Sequence, residues 1–429
     1  FPTHVKLNFK VEYLLINAAE CEPLLYTDKY VMDNFAEEIV KAVDEVAENV
    51  SAKNIFIAIK KVNKKEIEII QAAISTLNSK AKVFELENYY PAGDEQMIVF
   101  DITKRIVPPA GIPLDVGVVV SNVATMLNVY DAMNSKPVIH KYLTVSGFVK
   151  NPSVLKVPIG ISFKECIDAC GGTIIGNYKV VNGGPMMGAI YEKVQISDIY
   201  VTKTTSGIII VPNVGNAIAK IKDLSVKGIL SRAKSACIQC TFCTDLCPRA
   251  LIGHKIRPHM VMRQMSGKET FEKPEENKVL HEALLCCECG VCENYACPMG
   301  LSPRQVNIYV KKLLKGYKYQ REGYELEPET FIEFRKITPY KIMCRMGLGQ
   351  LYKDSQVNDY LELDTNEVGI KVSQHIGAPA EILVNKGDKV SIGQLIGKAA
   401  DGKLSANIHS SIDGEVVSVG DIIRIRGEK

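Results

Sequence analysis

Two short runs of cysteine constrain this sequence more than any other feature. The runs are Cys237-x2-Cys240-x2-Cys243-x3-Cys247-Pro248 and Cys286-x2-Cys289-x2-Cys292-x4-Cys297-Pro298. The first has the spacing of bacterial ferredoxins, and the second has one additional residue before its last cysteine. Three thiolates at this spacing wrap one corner of an iron–sulfur cubane, and the cysteine before proline reaches toward the neighbouring cluster. The pattern therefore predicts two [4Fe–4S] clusters.

The cysteine before each proline predicts that the two runs exchange their fourth ligands. The expected ligand sets are Cys237, Cys240, Cys243 with Cys297, and Cys286, Cys289, Cys292 with Cys247. Each proline prevents a helix from absorbing the last ligand. Cys287 is an alternative to its neighbour Cys286, although the x2 spacing favours Cys286.

Zinc sites and disulfide bonds account for the cysteines less well. Zinc also accepts four thiolates, but it usually takes them as two separated C-x2-C pairs. Disulfide frameworks belong to small secreted domains, whereas this chain has 429 residues and concentrates most of its 13 cysteines in the two runs. Of the remaining cysteines, Cys166 and Cys170 are expected to pack in a core, and Cys21 and Cys344 to be mainly structural. Cys21 lies in the loop at a strand end, so a minor redox role near a cofactor is the alternative for it.

Length and charge exclude several classes of protein. A chain of 429 residues predicts two to four domains. A formal net charge of +3 gives no electrostatic reason to expect nucleic acid or a polybasic membrane surface. No apolar stretch reaches the roughly 18 residues that span a bilayer. The expectation is a protein without a transmembrane segment.

Strands and helices alternate up to about residue 135, which predicts a parallel sheet with helices on both faces. The predicted strands are Val11–Ile16, Asn54–Ile59, Lys82–Glu85 and Val116–Val120, and the predicted helices are Tyr30–Asn49, Lys65–Leu77 and Asn122–Asn134. In such sheets ligands bind at the carboxyl ends of the strands. The Asn17–Glu22 loop and the Ser121–Thr125 turn lie at these ends.

The sequence pattern after residue 135 predicts three further regions. Residues 139–203 predict a small α+β module, with a helix at Ser162–Cys170 and a glycine-rich turn at Asn182–Gly188. Residues 225–310 are expected to be helical around the cysteine runs, followed by a charged helical stretch to about residue 345. Short strands and turns over 365–429 predict a compact β domain.

Several motifs in order along the chain resemble the RnfC-like iron–sulfur flavoproteins, which are related to the FMN-binding subunit of respiratory complex I. They are Phe1–Lys6, Asn17–Pro23, Tyr90–Glu95, Gly183–Gly188 and the cysteine runs. Within this family the sequence is most similar to the PduS-like branch of cobalamin reductases, which carry their barrel-sandwich domain at the C-terminus. Electron-transfer proteins of proline reductase systems are also similar.

The resemblance implies a multidomain α/β architecture. Its expected parts are a Rossmann-like complex I FMN-subunit-type domain (1–137), a ubiquitin-like SLBB module (138–205), a two-[4Fe–4S] ferredoxin domain with a helical extension (225–345) and a barrel-sandwich hybrid domain (365–429). A lipoyl-type carrier role for the last domain is disfavoured, because Ser405–Gly414 contains no lysine.

The resemblance also implies flavin contacts, which would be Lys6, Asn17, Glu20, Asn122 and Thr125. Asn122 and Thr125 open a predicted helix, whose N-terminus favours an anion. Glu20 and Glu22 would line the face on which nicotinamide stacks. Ala19 departs from the complex I motif, which has aspartate there, so one flavin contact is expected to be lost or replaced.

A glycine-rich segment precedes Phe-Pro-Thr in this family, whereas this sequence begins at Phe1. We therefore expect a fragment, or a chain whose upstream residues are absent, with FMN and NADH binding weakened and the clusters retained. Backbone amides of such a loop would approach the flavin phosphate.

The function implied is electron transfer from NADH through FMN and two [4Fe–4S] clusters to a terminal acceptor, most readily a corrinoid. The alternative is a non-enzymatic electron-carrier subunit of a larger complex, docked through the SLBB module and the C-terminal domain. The implied location is the cytoplasm, with enclosure in a bacterial microcompartment or attachment to a membrane through a partner as variants. No nucleic-acid partner is expected.

Overall fold

The computed structural model describes residues 3–221, 225–267, 273–321, 323, 325–354, 357 and 359–427. Phe1 and Pro2, which begin the first resemblance motif, lie outside the described residues. In the order of the sequence, the described chain forms a parallel α/β sheet, a mixed six-stranded sheet, a helical region with the cysteine runs and a C-terminal pair of small sheets.

The first region is a four-stranded parallel sheet with strand order β3-β2-β1-β4. Helices α2, α3, α4 and α6 pack on one face and α5 packs on the other, so that helices cover both faces as predicted. The elements are α1 (Thr3–Lys6), β1 (Tyr13–Ala18), α2 (Thr27–Asn34), α3 (Ala36–Asn49), β2 (Asn54–Lys60), α4 (Lys64–Thr76), β3 (Lys82–Leu86), α5 (Glu95–Thr103), β4 (Val118–Asn122) and α6 (Val123–Met133).

The single helix predicted over Tyr30–Asn49 is wrong, because α2 and α3 are separate helices. The chain leaves helical geometry at Phe35, where φ is −135° and ψ is 32°. The Phe35 ring packs against Tyr142 of the second region, with ring centroids 5.6 Å apart. The apolar periodicity continues across the break, so the break is set by packing between regions and leaves no local signal.

The second region is a six-stranded sheet with strand order β10-β6-β5-β9-β7-β8. Helix α7 covers it, and Cys166 and Cys170 are buried in its core. Strand β9 lies inside the sheet, which therefore extends past the boundary predicted at residue 205. The elements are β5 (His140–Gly147), β6 (Ser153–Pro158), α7 (Phe163–Ala169), β7 (Tyr178–Asn182), β8 (Ala189–Glu192), β9 (Gly207–Pro212) and the distant β10 (Asp359–Glu362).

The third region is built from short helices around the cysteine runs. Helices α9, α12 and α14 pack together through buried aliphatic and methionine side chains. Proline begins α11 and α14, where a missing N–H costs nothing. The helices are α8 (Ala217–Ile221), α9 (Val226–Ala236), α10 (Phe242–Asp245), α11 (Pro248–Leu251), α12 (Pro258–Gly267), α13 (Lys278–His281) and α14 (Pro303–Leu313).

The helical extension predicted to about residue 345 is largely wrong. The described residues between 315 and 331 contain no helix. Arg321 instead bonds the Asp115 carboxylate (2.8 Å) and the Pro109 carbonyl (3.2 Å) of the first region. These contacts are tertiary, so charge pattern alone suggested a helix that the chain does not form. Helices resume at α15 (Pro339–Arg345) and α16 (Gly349–Asp354).

The C-terminal region confirms the compact β domain. Two sheets, β11-β17-β16-β13 and β12-β14-β15, share one aliphatic core. The Ser411 hydroxyl donates to the Ile159 carbonyl (2.6 Å) and so joins this region to the second. The strands are β11 (Glu367–Lys371), β12 (Glu381–Ile382), β13 (Lys389–Val390), β14 (Leu395–Lys398), β15 (Ile408–His409), β16 (Gly414–Ser418) and β17 (Ile422–Arg426).

Among the described residues, no helix has both the length and the apolar character needed to cross a bilayer.

Candidate functional site

Four cysteines, one of them from the second run, line a single cavity beside α12. This first group is Cys237, Cys240, Cys243 and Cys297. Burial raises the pKa of the Cys243 thiol to about 12, with further contributions from Cys297, Cys240 and Cys237. The last cysteine of the second run thus lies with the first run, as the exchange of fourth ligands requires.

A second group of cysteines contains the last cysteine of the first run. Burial, and then the charges of Cys287 and Cys286, raise the pKa of the Cys247 thiol. Burial also raises the pKa of Cys292, and Cys286 and Cys247 add to that rise. We define the second group as Cys286, Cys289, Cys292 and Cys247.

The two cysteine loops have the same backbone conformation at equivalent positions. Gln239 and Thr241 in the first loop have φ of 55° and 66°, and Glu288 and Gly290 in the second have φ of 60° and 79°. A non-glycine residue rarely adopts this left-handed conformation, so its recurrence marks a common loop. In this alignment Cys286 is equivalent to Cys237, whereas Cys287 is equivalent to Ile238. The geometry therefore favours Cys286 over Cys287 as the ligand.

The additional residue of the second run is absorbed in a π-helical turn over Cys292–Ala296. The Cys297 N–H donates to the Cys292 carbonyl (3.2 Å), which is the five-residue spacing of a π turn. In the first run the Cys247 N–H instead donates to the Thr244 carbonyl (2.9 Å). The extra residue is therefore taken up inside the turn, and Cys297 still reaches the first group.

Buried polar atoms around the second group are suited to a bound anionic cluster. Asn307 of α14 is 1% exposed, and neither its amide nitrogen nor its amide oxygen has a hydrogen-bond partner. Burial raises the pKa of the Cys286 thiol and the nearby Asn307 amide lowers it, which places that amide next to the sulfur although the two form no hydrogen bond of ordinary geometry. A buried amide without a partner is costly. A cluster-bound sulfur beside Asn307 would supply the missing acceptor.

No trio of His, Cys, Asp or Glu side chains in the described part of the chain converges as it would on a single metal ion.

Three of the predicted flavin residues meet where β1 and β4 end. The Asn17 amide donates to the Gly93 carbonyl (2.8 Å), and the Asn122 amide donates to the Asn17 carbonyl (3.3 Å). Lys6 donates to the Val120 carbonyl (2.6 Å). Because parallel strands end at the same edge of the sheet, these side chains line the edge at which ligands bind in such folds.

Asn122 also opens α6, because its side-chain oxygen accepts from the Ala124 N–H (2.9 Å). Thr125 lies in the first turn of that helix and is half-buried. The N–H groups of this turn and the helix dipole make the position favourable for a negatively charged group.

Glu20 caps a helix that begins beside this edge, where the Asn122 amide also donates to the Asp28 carboxylate (3.0 Å). Its two carboxylate oxygens accept from the backbone N–H groups of Asp28 and Lys29, each at 3.1 Å, and thereby cap α2. Burial and the Asp28 carboxylate raise the pKa of Glu20. The Glu20 carboxylate is therefore committed to a structural contact.

Glu22 joins the first region to the glycine-rich turn of the second. Its carboxylate accepts from the Met186 N–H (2.9 Å), and burial raises its pKa to about 7. Gly184 lies so close that an added Cβ would overlap the Glu22 side chain. The turn needs glycine at this position because the two regions approach each other here.

We predict that Gly184→Ala destabilises this junction by about 1–3 kcal/mol, the usual cost of forcing a methyl group into a packed site. Thermal unfolding of the holoprotein measures the effect. Gly176→Ala in the same region is the matched control, because nothing lies within 4 Å of its added Cβ. Equal midpoints for the two variants would contradict the close approach of Glu22.

The contact that joins the flavin edge to the second group was not predicted from the sequence. Asp94 caps α5, and its carboxylate forms a two-pronged ion pair with Arg249, with 2.9 Å between Nη2 and Oδ2. The Arg249 and Asp94 side chains are only 9% and 15% exposed. The Tyr90 hydroxyl donates to the Cys289 carbonyl (2.8 Å). Arg249 directly follows Cys247-Pro248 in the sequence. This position next to a predicted cluster ligand was the one sequence signal that could have pointed to Arg249 as a contact residue.

Cys21 also lies at the flavin edge, where its sulfur accepts from the Gly93 N–H (2.7 Å). Burial raises the pKa of its thiol. The structural role of Cys21 stays a prediction.

Four family models match the chain in the same order as the four regions. They are the Nuo51 FMN-binding domain (residues 1–131), the SLBB domain (142–189), the 4Fe-4S dicluster domain (236–302) and the RnfC Barrel sandwich hybrid domain (353–429). Together with the cysteine geometry, these matches define an iron–sulfur flavoprotein, an oxidoreductase that transfers electrons through FMN and [4Fe–4S] clusters.

The chain is 37% identical to the cobalamin reductase PduS of Citrobacter freundii, over 100% of this chain and 93% of the relative. It is 36% identical to PduS of Salmonella typhimurium with the same coverage. A subunit of the Na(+)-translocating ferredoxin:NAD(+) oxidoreductase complex of Acetobacterium woodii is 35% identical over 65% of this chain and 59% of its own length. The chain belongs to the PduS-like family of RnfC-related iron–sulfur flavoproteins.

Proposed function

We propose that this protein passes electrons from NADH, through FMN and two [4Fe–4S] clusters, to a corrinoid. The observation that carries the proposal is the contact of the flavin edge with the second group, through Asp94–Arg249 and Tyr90–Cys289. When bound, FMN accepts a hydride from NADH and the clusters carry the electrons singly. Full-length similarity to cobalamin reductases supports a corrinoid as the acceptor.

We propose that each cysteine group holds one cluster. Support comes from the matching loop conformations, the π turn and the shared cavity of the first group. The ligands are Cys237, Cys240, Cys243 and Cys297 for one cluster, and Cys286, Cys289, Cys292 and Cys247 for the other.

The two groups differ in their surroundings, and this difference suggests an order of electron flow. The second group contacts the flavin edge through Arg249 and Cys289. The loop of the first group exposes Ile238 by 61% and Phe242 by 50%. We propose that electrons reach the second group first and leave from the first group.

For the flavin, we propose that Asn17, Asn122 and Lys6 bind its ring and phosphate, with Thr125 at the helix N-terminus. Glu20 and Glu22 contribute by shaping the loop between them. The Glu20 carboxylate fixes α2 and the Glu22 carboxylate holds the glycine-rich turn. Their proximity to nicotinamide remains a prediction.

The second candidate function is an electron-carrier subunit of a larger complex, because a subunit of an NAD(+) oxidoreductase complex matches 65% of the chain. Such a protein would be attached to a membrane through its partners. A corrinoid reductase would work in the cytoplasm or, with a corrinoid-dependent enzyme, inside a bacterial microcompartment.

Anaerobic turnover of the FMN-reconstituted holoprotein separates these functions. The proposed reductase consumes NADH with aquocobalamin as the acceptor and without another protein. Cluster reduction that occurs only when a protein partner is added would favour the carrier. Holoprotein that binds no flavin and shows no NADH-dependent cluster reduction would overturn the NADH branch.

We predict that Asn307→Leu lowers the reduction potential of the second-group cluster. A donor to a thiolate sulfur stabilises the extra negative charge of the reduced form, and leucine cannot donate. Potentiometric titration followed by electron paramagnetic resonance (EPR) measures the shift. Lys312→Leu, at an exposed position of the same helix, is expected to leave both potentials unchanged. Identical titrations for wild type and Asn307→Leu would refute this role.

A further inference from the structure

A pocket of about 500 Å³ lies directly beside the first group. Its walls include Phe242, which precedes Cys243, and Pro298, which follows Cys297. Small-molecule sites typically have volumes of roughly 300–1,000 Å³. The pocket therefore has the size of a ligand site and adjoins two of the proposed cluster ligands.

The surface around this pocket is unusually apolar for an exposed loop. Ile238, Phe242 and Met299 are 61%, 50% and 40% exposed, and they belong to the segments that contain Cys237, Cys243 and Cys297. Leu246, Tyr295 and Ala296 continue the apolar lining inside the pocket. Exposed apolar surface that is gathered at one place marks a contact site.

Two arginines and one aspartate give the pocket a positive charge. Arg335 donates to the Asp245 carbonyl (3.0 Å) and lies 3.7 Å from its carboxylate, so these two charges compensate each other. Arg345 donates to the Cys297 carbonyl (3.3 Å) and, in the described part of the chain, forms no ion pair. Guanidinium has five N–H donors, so several stay available to an anionic ligand.

We propose that this pocket binds the electron acceptor, and that the acceptor is a small molecule with a broad apolar face and an anionic group that contacts Arg345. The inference rests on the proposed function, because a cobalamin has both features: a corrin ring and a phosphodiester. One electron leaves the reduced protein and one Co(III) becomes Co(II), with NADH as the ultimate reductant. The pocket has the volume of a small-molecule site, so we assign it to a small molecule and not to a protein partner.

The test is a single-turnover reaction that needs neither NADH nor flavin. Holoprotein is reduced chemically, freed of reductant and mixed anaerobically with increasing aquocobalamin, while cluster absorbance reports reoxidation. In Arg345→Gln we expect the apparent Kd for aquocobalamin to rise about tenfold, with the limiting rate little changed. With a cobinamide, which lacks the phosphodiester, the substitution should leave Kd unchanged.

Two further variants serve as controls for the effect of Arg345→Gln on the apparent Kd. Arg345→Lys retains the charge and should give an intermediate Kd, whereas Arg426→Gln, at a surface ion pair of the C-terminal region, should behave as wild type. An unchanged Kd in correctly folded Arg345→Gln, or an equal rise with the cobinamide, overturns the pocket assignment alone. Failure of wild-type clusters to be reoxidised by aquocobalamin overturns the corrinoid function itself.

Discussion

Replacing Cys247 with serine is expected to remove the cluster of the other cysteine run and to leave the cluster of its own run in place. The reason is the proposed exchange of fourth ligands, in which Cys247 joins the group that contains Cys286 and Cys292. Serine is a poor ligand for a [4Fe–4S] cluster, so iron content should fall from about eight to about four atoms per chain.

EPR spectra of the reduced variants identify the lost cluster. The spectrum of Cys247→Ser should match that of Cys289→Ser and differ from that of Cys240→Ser. Cys344→Ser, at an exposed cysteine outside both groups, is the control and should retain about eight iron atoms. A Cys247→Ser spectrum identical to that of Cys240→Ser would mean that each run binds its own cluster.

Replacing Arg249 with methionine is expected to destabilise the holoprotein by about 3–5 kcal/mol, because the nearly buried Asp94 carboxylate loses its partner. The same substitution loosens the contact between the flavin edge and the second group. We therefore also expect slower NADH-dependent reduction of the clusters. Urea unfolding followed by cluster absorbance, together with stopped-flow reduction, measures the two effects.

Arg426→Met is the matched control, because Arg426 pairs with Glu367 at the surface, where the two side chains are 63% and 40% exposed. Its effect should lie within about 0.5 kcal/mol. Adding Asp94→Asn to Arg249→Met should restore part of the stability, since it removes the uncompensated charge. Equal losses in Arg249→Met and Arg426→Met would contradict a buried, stabilising pair.

The sequence predicted best where the chemistry is local. Cysteine spacing is enough to specify a cubane loop, and the exchange of Cys247 and Cys297 between the clusters stays a prediction that their neighbours in the structure support. Alternating apolar segments likewise predicted the parallel sheet, because each strand and helix carries its own periodicity. The sequence did not show how the second run accommodates its additional residue before Cys297. The structure shows a π turn that begins at Cys292, and such a turn has no sequence signature.

Prediction failed where distant residues determine the outcome. The break at Phe35 depends on Tyr142, and the absence of helix between the described residues 315 and 331 accompanies contacts with the first region. Nothing in the sequence indicated that the Glu20 carboxylate caps α2, while its place at the flavin stays a prediction. The Asp94–Arg249 pair spans 155 positions of sequence, so neither residue alone could reveal it.

The measurement that tests the proposed electron path most directly compares two FMN-reconstituted variants, each lacking one cluster. Freeze-quench EPR follows the reduction of the remaining cluster after mixing with NADH, and a chemical reductant confirms that this cluster can be reduced. We predict that NADH rapidly reduces the second-group cluster in Cys240→Ser but fails to reduce the first-group cluster in Cys289→Ser. Equally rapid reduction in both variants, or the opposite pattern, would contradict the proposed order.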